Sequence, residues 1–182
     1  MENNPTPTQL ATLGGGCFWC LDTVYRSLKG VTSVASGYSG GTRQTANYRD
    51  VCSGNTLHAE VVQIAFDPAI ISYAQLLEIF WQVHDPTTPN RQGNDVGPQY
   101  RSVIFFHDAQ QEEDARTSIA TVAADIWEAP IVTQVVPFEA FYPAETYHQD
   151  YYNKVGSRNP YCTFVITPKV EKIRKKFAAQ LK

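Results

Sequence analysis

The sequence has no apolar run near the roughly 18 residues a membrane-spanning helix needs, so no such helix and no membrane partner are expected. It has no excess of basic residues. Its 15 Lys and Arg stand against 18 Asp and Glu, giving a formal net charge of −3. Without a global positive field, a nucleic-acid partner is not expected. It has no internal repeat, no low-complexity tract and no linker long enough to split the chain, which excludes solenoid and multi-domain readings. The opening "MENNPTPTQL" has neither a basic n-region nor an apolar h-region, so it does not read as a secretory signal. It reads as a disordered lead-in over residues 1–9, followed by a single catalytic domain over residues 10–182. A cytoplasmic, monomeric protein is the corresponding expectation.

Cysteine is also scarce. The four are Cys17, Cys20, Cys52 and Cys162. A chain of 182 residues, 43% hydrophobic and 18% charged, is large enough to build a core without disulfide staples. In a reducing compartment such thiols are catalytic, metal-bound or inert more often than cross-linked.

Periodicity places the elements around them. "QLATLGGG" reads as a strand entering a glycine turn. Phe18, Leu21, Val24, Tyr25 and Leu28 recur at helical spacing, and Gly30 ends that helix. "VTSVASGYSGGT" reads as a strand running into a loop. "AEVVQIAFDP" alternates, with Val62, Ile64 and Phe66 on one face. Ser72 with Gln75 forms a capping-box signature. "YRSVIFFH" is a strand, and Asp108 caps a helix with Ala115, Ile119, Val122 and Ile126 on one stripe. "IVTQVV" is a strand and "AETYHQDYY" a short helix. Pro168 starts a last helix with Val170, Ile173, Phe177 and Leu181 on one side and Lys169, Lys172, Arg174, Lys175 and Lys176 on the other. Strands and helices mix without strict alternation, which predicts an α+β fold: a mixed β-sheet with helices packed on it, a two-layer sandwich of ferredoxin-like type. The long segments 37–58 and 86–99 carry little core and are expected to be functional loops.

The stretch "GGGCFWC" carries the most chemistry. Three glycines permit close backbone approach. A thiol where a helix begins meets unpaired N–H groups and the positive end of the helix dipole, so the Cys17 thiol is expected below its usual range. Two readings stand: an activated nucleophile, or a small residue buried in a tight turn. Phe18 and Trp19 are either core anchors or the wall of an apolar pocket suited to a methyl group. Cys17 and Cys20 have the spacing of a redox dithiol and of half a zinc site. No second Cys-x-x-Cys and no His-x₃₋₅-His accompany them, so no metal is expected.

Together, "GGCFWC", "GYSGG", "NYRDVCSGNTLHAE", "FWQVHDPTT", "RQGNDVGPQYRS" and "AETYHQDYY" resemble the peptide methionine sulfoxide reductase A family, in its order and spacing, from about Leu13 to Val165. The resemblance implies thiol-dependent reduction of the S epimer of methionine sulfoxide, free or in proteins. It implies Cys17 as nucleophile and Glu60 as acid. Tyr48 and Tyr100 would donate to the sulfoxide oxygen, Phe18 and Trp19 would hold the methyl group, and Asp95 would support them. A sulfenic acid on Cys17 would condense with a resolving thiol, with Cys162 favoured and Cys20 an alternative or relay. Thioredoxin would then reduce the disulfide, with no metal or organic cofactor. Cys52 is read as structural. The competing readings are a general dithiol–disulfide oxidoreductase built on Cys17 and Cys20, and a zinc-stabilised binding module.

Overall fold

The computed structural model describes residues 7–182. Most of the lead-in expected over residues 1–9 lies outside them, and Gln9 is already paired with Phe66 in the sheet.

Six strands form one sheet: β1 (Gln9–Gly15), β2 (Val31–Ser39), β3 (Ala59–Phe66), β6 (Ser102–Phe106), β7 (Gln134–Pro137) and β8 (Tyr142–Pro143). Two further strands, β4 (Arg91–Gln92) and β5 (Asp95–Val96), pair in a separate ribbon. The sheet order is β7-β6-β1-β3-β2-β8. Its four central strands are antiparallel, and β7 joins β6 in parallel. With α1 (Phe18–Arg26) after β1 and α3 (Tyr73–Val83) after β3, the central strands make a split βαββαβ unit. This is the expected mixed sheet with helices packed on it.

Alternation decides which strand residues meet the helices. Val62, Ile64 and Phe66 of β3 join the main core with Leu21, Val24 and Tyr25 of α1, Leu76 and Phe80 of α3, and Val170 and Ile173 of α7 (Thr167–Lys176). Ala59, Val61, Val103 and Phe105 face the other way, into a small cluster with Val136, Phe138 and Phe141. The period of two therefore puts Glu60 on the helix-covered face. It is the polar end of a row that is otherwise apolar.

The caps form as the sequence indicates. Ser72 accepts from the Gln75 amide while Gln75 accepts from the Ser72 amide. Asp108 accepts from the Gln111 amide and starts α4 (Ala109–Ser118). Two expectations need correction. The stripe Ala115, Ile119, Val122, Ile126 is broken by a π-helical turn at Ile119–Ala123. A π turn rotates the residues after it relative to those before it. Ala123 therefore turns inward, while Ile126, on α5 (Ala124–Ile126), is left 37% exposed. "AETYHQDYY" is not one helix. A 3₁₀ turn at Thr146–His148 is separated from α6 (Tyr151–Val155) by Asp150, whose φ of +53° is left-handed.

Candidate active site

The site forms where β1 turns into α1 above the start of β3. Gly16 sits at φ +89°, and a Cβ there would lie 2.6 Å from the Gln92 side chain. At Gly15 it would lie 2.9 Å from the ring of His84. The glycines thus make room for protein rather than for a ligand. Gln92, drawn against the turn, also accepts from the Asp85 amide and donates to the Asp85 carbonyl. Its clamp fixes the 86–99 segment, which carries Asp95 into the site and leads to Tyr100. His84 Nδ1 donates to the Phe80 carbonyl (2.6 Å), and Nε2 accepts from Ser102 Oγ (2.7 Å). Burial lowers it to about 3, so it stays neutral as a prop.

Cys17 is the N-cap of α1, with φ −57° and ψ 125°. It stands just outside the helix, and its carbonyl accepts from the Cys20 amide at 3.2 Å. The next amide, Phe18 N, donates to Glu60 Oε2 at 3.2 Å. Glu60 is thus tied to the first free N–H of the helix that Cys17 caps. It is 2% exposed. Desolvation raises its pKa to about 8, against the Phe18 hydrogen bond, which lowers it. At neutral pH the carboxyl is therefore mainly protonated and able to donate.

Cys17, Phe18, Trp19, Tyr48, Glu60, Asp95, Tyr100 and Tyr161 line one cavity of about 200 Å³. Seven of these eight are residues named from the sequence. The cavity suits a side chain of a few heavy atoms rather than a large cofactor. Tyr48 opens α2 (Tyr48–Cys52), which Asn47 caps by accepting from the Asp50 amide. Tyr100 ends a 3₁₀ turn begun at Pro98. Burial raises both phenols well above their usual range, so both remain O–H donors.

The expectation for the Cys17 thiol is reversed. Burial pushes it well above its usual range, helped by a hydrogen-bond contact with Cys20 and by nearby Glu60. Cys20 is the thiol that is lowered, by that same contact and by the Lys169 ammonium, against burial. Dehydration of the closed turn outweighs the helix N-terminus at Cys17. Cys162, fully buried, is raised by burial and by the charge of Cys20. Cys20 therefore contacts Cys17 and acts electrostatically on Cys162. All four cysteines are free thiols. Cys52 is exposed rather than packed as a structural residue, and its side chain contacts Tyr48. Among the described residues no group of three or more His, Cys, Asp or Glu is placed to hold a metal ion.

Three residues of the site have no role in the sequence reading. Tyr151 stacks on Trp19 with ring centres 3.8 Å apart and planes at 7°. The Trp19 indole donates to His148 Nδ1 at 3.1 Å, which places the His148 proton on Nε2. Tyr161 meets Trp19 edge-on and donates to Asp95 Oδ2 at 2.5 Å. Trp19 is thus held on three sides, and Asp95 acts on it through Tyr161. The only sequence signal for these residues was their place in "AETYHQDYY" and "NPYCTFV". Those motifs gave no hint of which tyrosine faces inward.

Comparison with known proteins agrees with this geometry. Residues 9–181 match the family described as Peptide methionine sulfoxide reductase. The MsrA of Sulfolobus acidocaldarius is 54% identical over 169 residues, covering 93% of this chain and 95% of that protein. The crystal structure of Mxr1 from Saccharomyces cerevisiae in reduced form superposes with a TM-score of 0.79 at 34% identity, covering 86% of this chain and 90% of that one. Mxr1 in complex with Trx2 superposes with a TM-score of 0.57 at 25% identity, covering 83% and 89%. A half-buried thiol at a helix cap, a protonated acid on the adjacent amide and an aromatic wall therefore occur in a chain that belongs to the peptide methionine sulfoxide reductase A family.

Proposed function

We propose that the Cys17–Glu60 pocket is where this chain reduces the S epimer of methionine sulfoxide, free or within proteins, to methionine. The observation that carries the reading is the buried, protonated Glu60 bonded to the amide beside the Cys17 cap. A sulfoxide is a neutral group with a strong S–O dipole. Its oxygen needs hydrogen-bond donors and its methyl group needs an apolar wall. The cavity offers Glu60, Tyr48 and Tyr100 for the first, and Phe18 and Trp19 for the second.

Cys17 attacks the sulfoxide sulfur as Glu60 gives its proton to the oxygen, with the two phenols supporting the charge. The oxygen passes to Cys17. The substrate sulfur gains two electrons and leaves as methionine, and Cys17 becomes a sulfenic acid. A second thiol then attacks that sulfur, forming a disulfide and releasing the hydroxyl as water. Cys20 is the first resolver in this scheme, because it contacts Cys17 and has the lower pKa. Cys162 takes the disulfide over by exchange. This order differs from the sequence preference for Cys162. That preference followed from the resemblance; the contact between Cys17 at the cap and Cys20 favours the other order. The electron donor is a thioredoxin-type dithiol; Mxr1, the yeast relative, has been solved with Trx2.

The test is reduction of racemic methionine sulfoxide with dithiothreitol in excess. Consumption is expected to stop at one half, with only the R epimer left. Consumption of both epimers, or of neither, would refute the assignment.

A further inference from the structure

The pocket asks two donors to meet on one oxygen. Glu60 stands on β3, within the sheet, while Tyr48 opens α2, a helix of five residues. So short a helix does not hold itself in place. Its position comes from what fastens its first amides. Asn47 takes the Asp50 amide. The Tyr48 amide donates to Oε2 of Glu145, 97 positions further along the chain, at 3.2 Å. The other oxygen of Glu145 is bound as well. Oε1 accepts from the Tyr38 hydroxyl at 3.1 Å. Tyr38 is fully buried, lies opposite Glu60 in the sheet and packs its ring 5.7 Å from that of Phe18. One carboxylate therefore bridges the sheet beside the acid and the first residue of the helix that carries the phenol.

Burial pushes the Glu145 pKa up, but the hydrogen bonds it accepts outweigh this and hold it below the usual carboxylate range. At neutral pH it is an anion that accepts at both oxygens. Its further neighbours are the Tyr147 hydroxyl at 3.4 Å and His148 Nε2 at 4.0 Å, the latter too far for a hydrogen bond. Glu145 itself does not line the catalytic cavity. We infer that Glu145 is a positioning residue for sulfoxide reduction, which holds the Tyr48 phenol in place relative to Glu60 so that both reach the oxygen of one substrate. It acts through Tyr48 and touches no reacting atom. This role rests on the assignment of the Cys17–Glu60 pocket as the sulfoxide site. A side chain outside the cavity matters because displacing a catalytic group by about 1 Å can cost on the order of 10²-fold in rate. A hydroxyl can turn to accept, whereas a backbone amide can only donate. Glutamine can therefore replace Glu145, with its oxygen toward the Tyr48 amide and its NH₂ toward the Tyr38 oxygen. Aspartate keeps the charge but is one methylene too short to span both donors, and leucine offers no oxygen.

The test is the single-turnover rate of sulfenic acid formation at saturating methionine sulfoxide and pH 7, with circular dichroism as a check on folding. Each Glu145 variant is measured with Tyr48 intact and again in Tyr48→Phe. Tyr48→Phe, Glu145→Asp and Glu145→Leu should each lose about tenfold, less than the loss for a lone donor because Tyr100 and Glu60 remain. Glu145→Gln should stay within about threefold of the unaltered rate. The half-saturating concentration should change by less than about twofold, because Tyr48 acts on charge that develops at the oxygen during attack. In Tyr48→Phe, Glu145→Asp or Glu145→Leu should add nothing, so each double variant loses about tenfold where independent sites would lose about a hundredfold. Multiplying losses in the double variants would overturn the inference. So would an unimpaired Tyr48→Phe or Glu145→Asp, a loss in Glu145→Gln equal to that in Glu145→Asp, or a loss expressed in substrate binding, which would place the route through His148 and Trp19 instead. If Glu145→Leu does not fold, Glu145→Asp carries the same prediction. All of these outcomes leave the Cys17–Glu60 pocket standing; absence of sulfenic acid from the unaltered enzyme would remove that pocket, and this role with it.

Discussion

At the scale of single residues, the site turns on two groups that hold their protons more tightly than usual. Glu60 is raised to about 8, and Cys17 is raised as well. Below pH 8 the pair therefore carries two protons. The reactive pair, a thiolate facing a carboxylic acid, carries one, and its share of the one-proton state does not change with pH. Rising pH removes the surplus proton. The kcat/KM for methionine sulfoxide should then climb about tenfold per pH unit, level off near pH 8, and hold until Cys17 loses its own proton. A stopped-flow pH profile checks this; a rate that falls on passing upward through 8 would mean that neutral thiol attacks instead. The residue types were legible in the sequence, and so were the positions of Cys17, Glu60, Tyr48 and Tyr100 once the motifs were taken together. The direction of the Cys17 shift was not. Sequence places a thiol at a helix start, where the dipole favours the anion. It does not reveal how far Trp19, Tyr161 and the clamped loop exclude water.

At the scale of elements, position depends on how α1 begins and how the tail of the chain ends. Cys17 lies at the cap, outside the turn that Cys20 enters, and the two side chains meet. Cys162 opens a π-helical turn, Cys162–Ile166, leading into α7. Such widened turns recur at functional sites, and this one carries a buried thiol within electrostatic range of Cys20. After one turnover without reductant, mass mapping should find Cys20–Cys162 as the stable disulfide. In Cys162→Ser the disulfide should be Cys17–Cys20. In Cys20→Ser, a long-lived sulfenic acid on Cys17 should be trapped by dimedone. A Cys17–Cys162 disulfide formed at the unaltered rate in Cys20→Ser would contradict the relay. Alternation in β3, the capping box of α3 and the Asp108 cap of α4 could be read directly, because they are local. The π turns at Ile119 and Cys162 could not. A single extra residue in a helical turn leaves no periodic mark, and it is why Ile126 faces solvent while Ala123 does not.

At the scale of the whole molecule, the sheet brings distant residues into register. Tyr38 of β2 lies opposite Glu60 of β3, and α1 crosses the same face. A carboxyl 43 positions along the chain from Cys17 thus arrives under the helix that Cys17 caps. The mixed sheet was expected from the order of elements and "IVTQVV" marked β7, but β8, of two residues, is too short to announce itself. From β8 onward the chain doubles back over the site, bringing His148, Tyr151 and Tyr161 against Trp19. Such long-range placement comes from packing rather than from any local pattern. The central claim is that this fold presents a protonated Glu60 to the oxygen of a sulfoxide whose sulfur Cys17 attacks. Its most direct test is the single-turnover rate of sulfenic acid formation in Glu60→Gln, beside the unaltered enzyme at pH 7, with circular dichroism confirming the fold. A loss of roughly 10²- to 10⁴-fold is predicted for removal of a general acid, with substrate still bound; a rate within a few-fold of the unaltered enzyme would contradict the account.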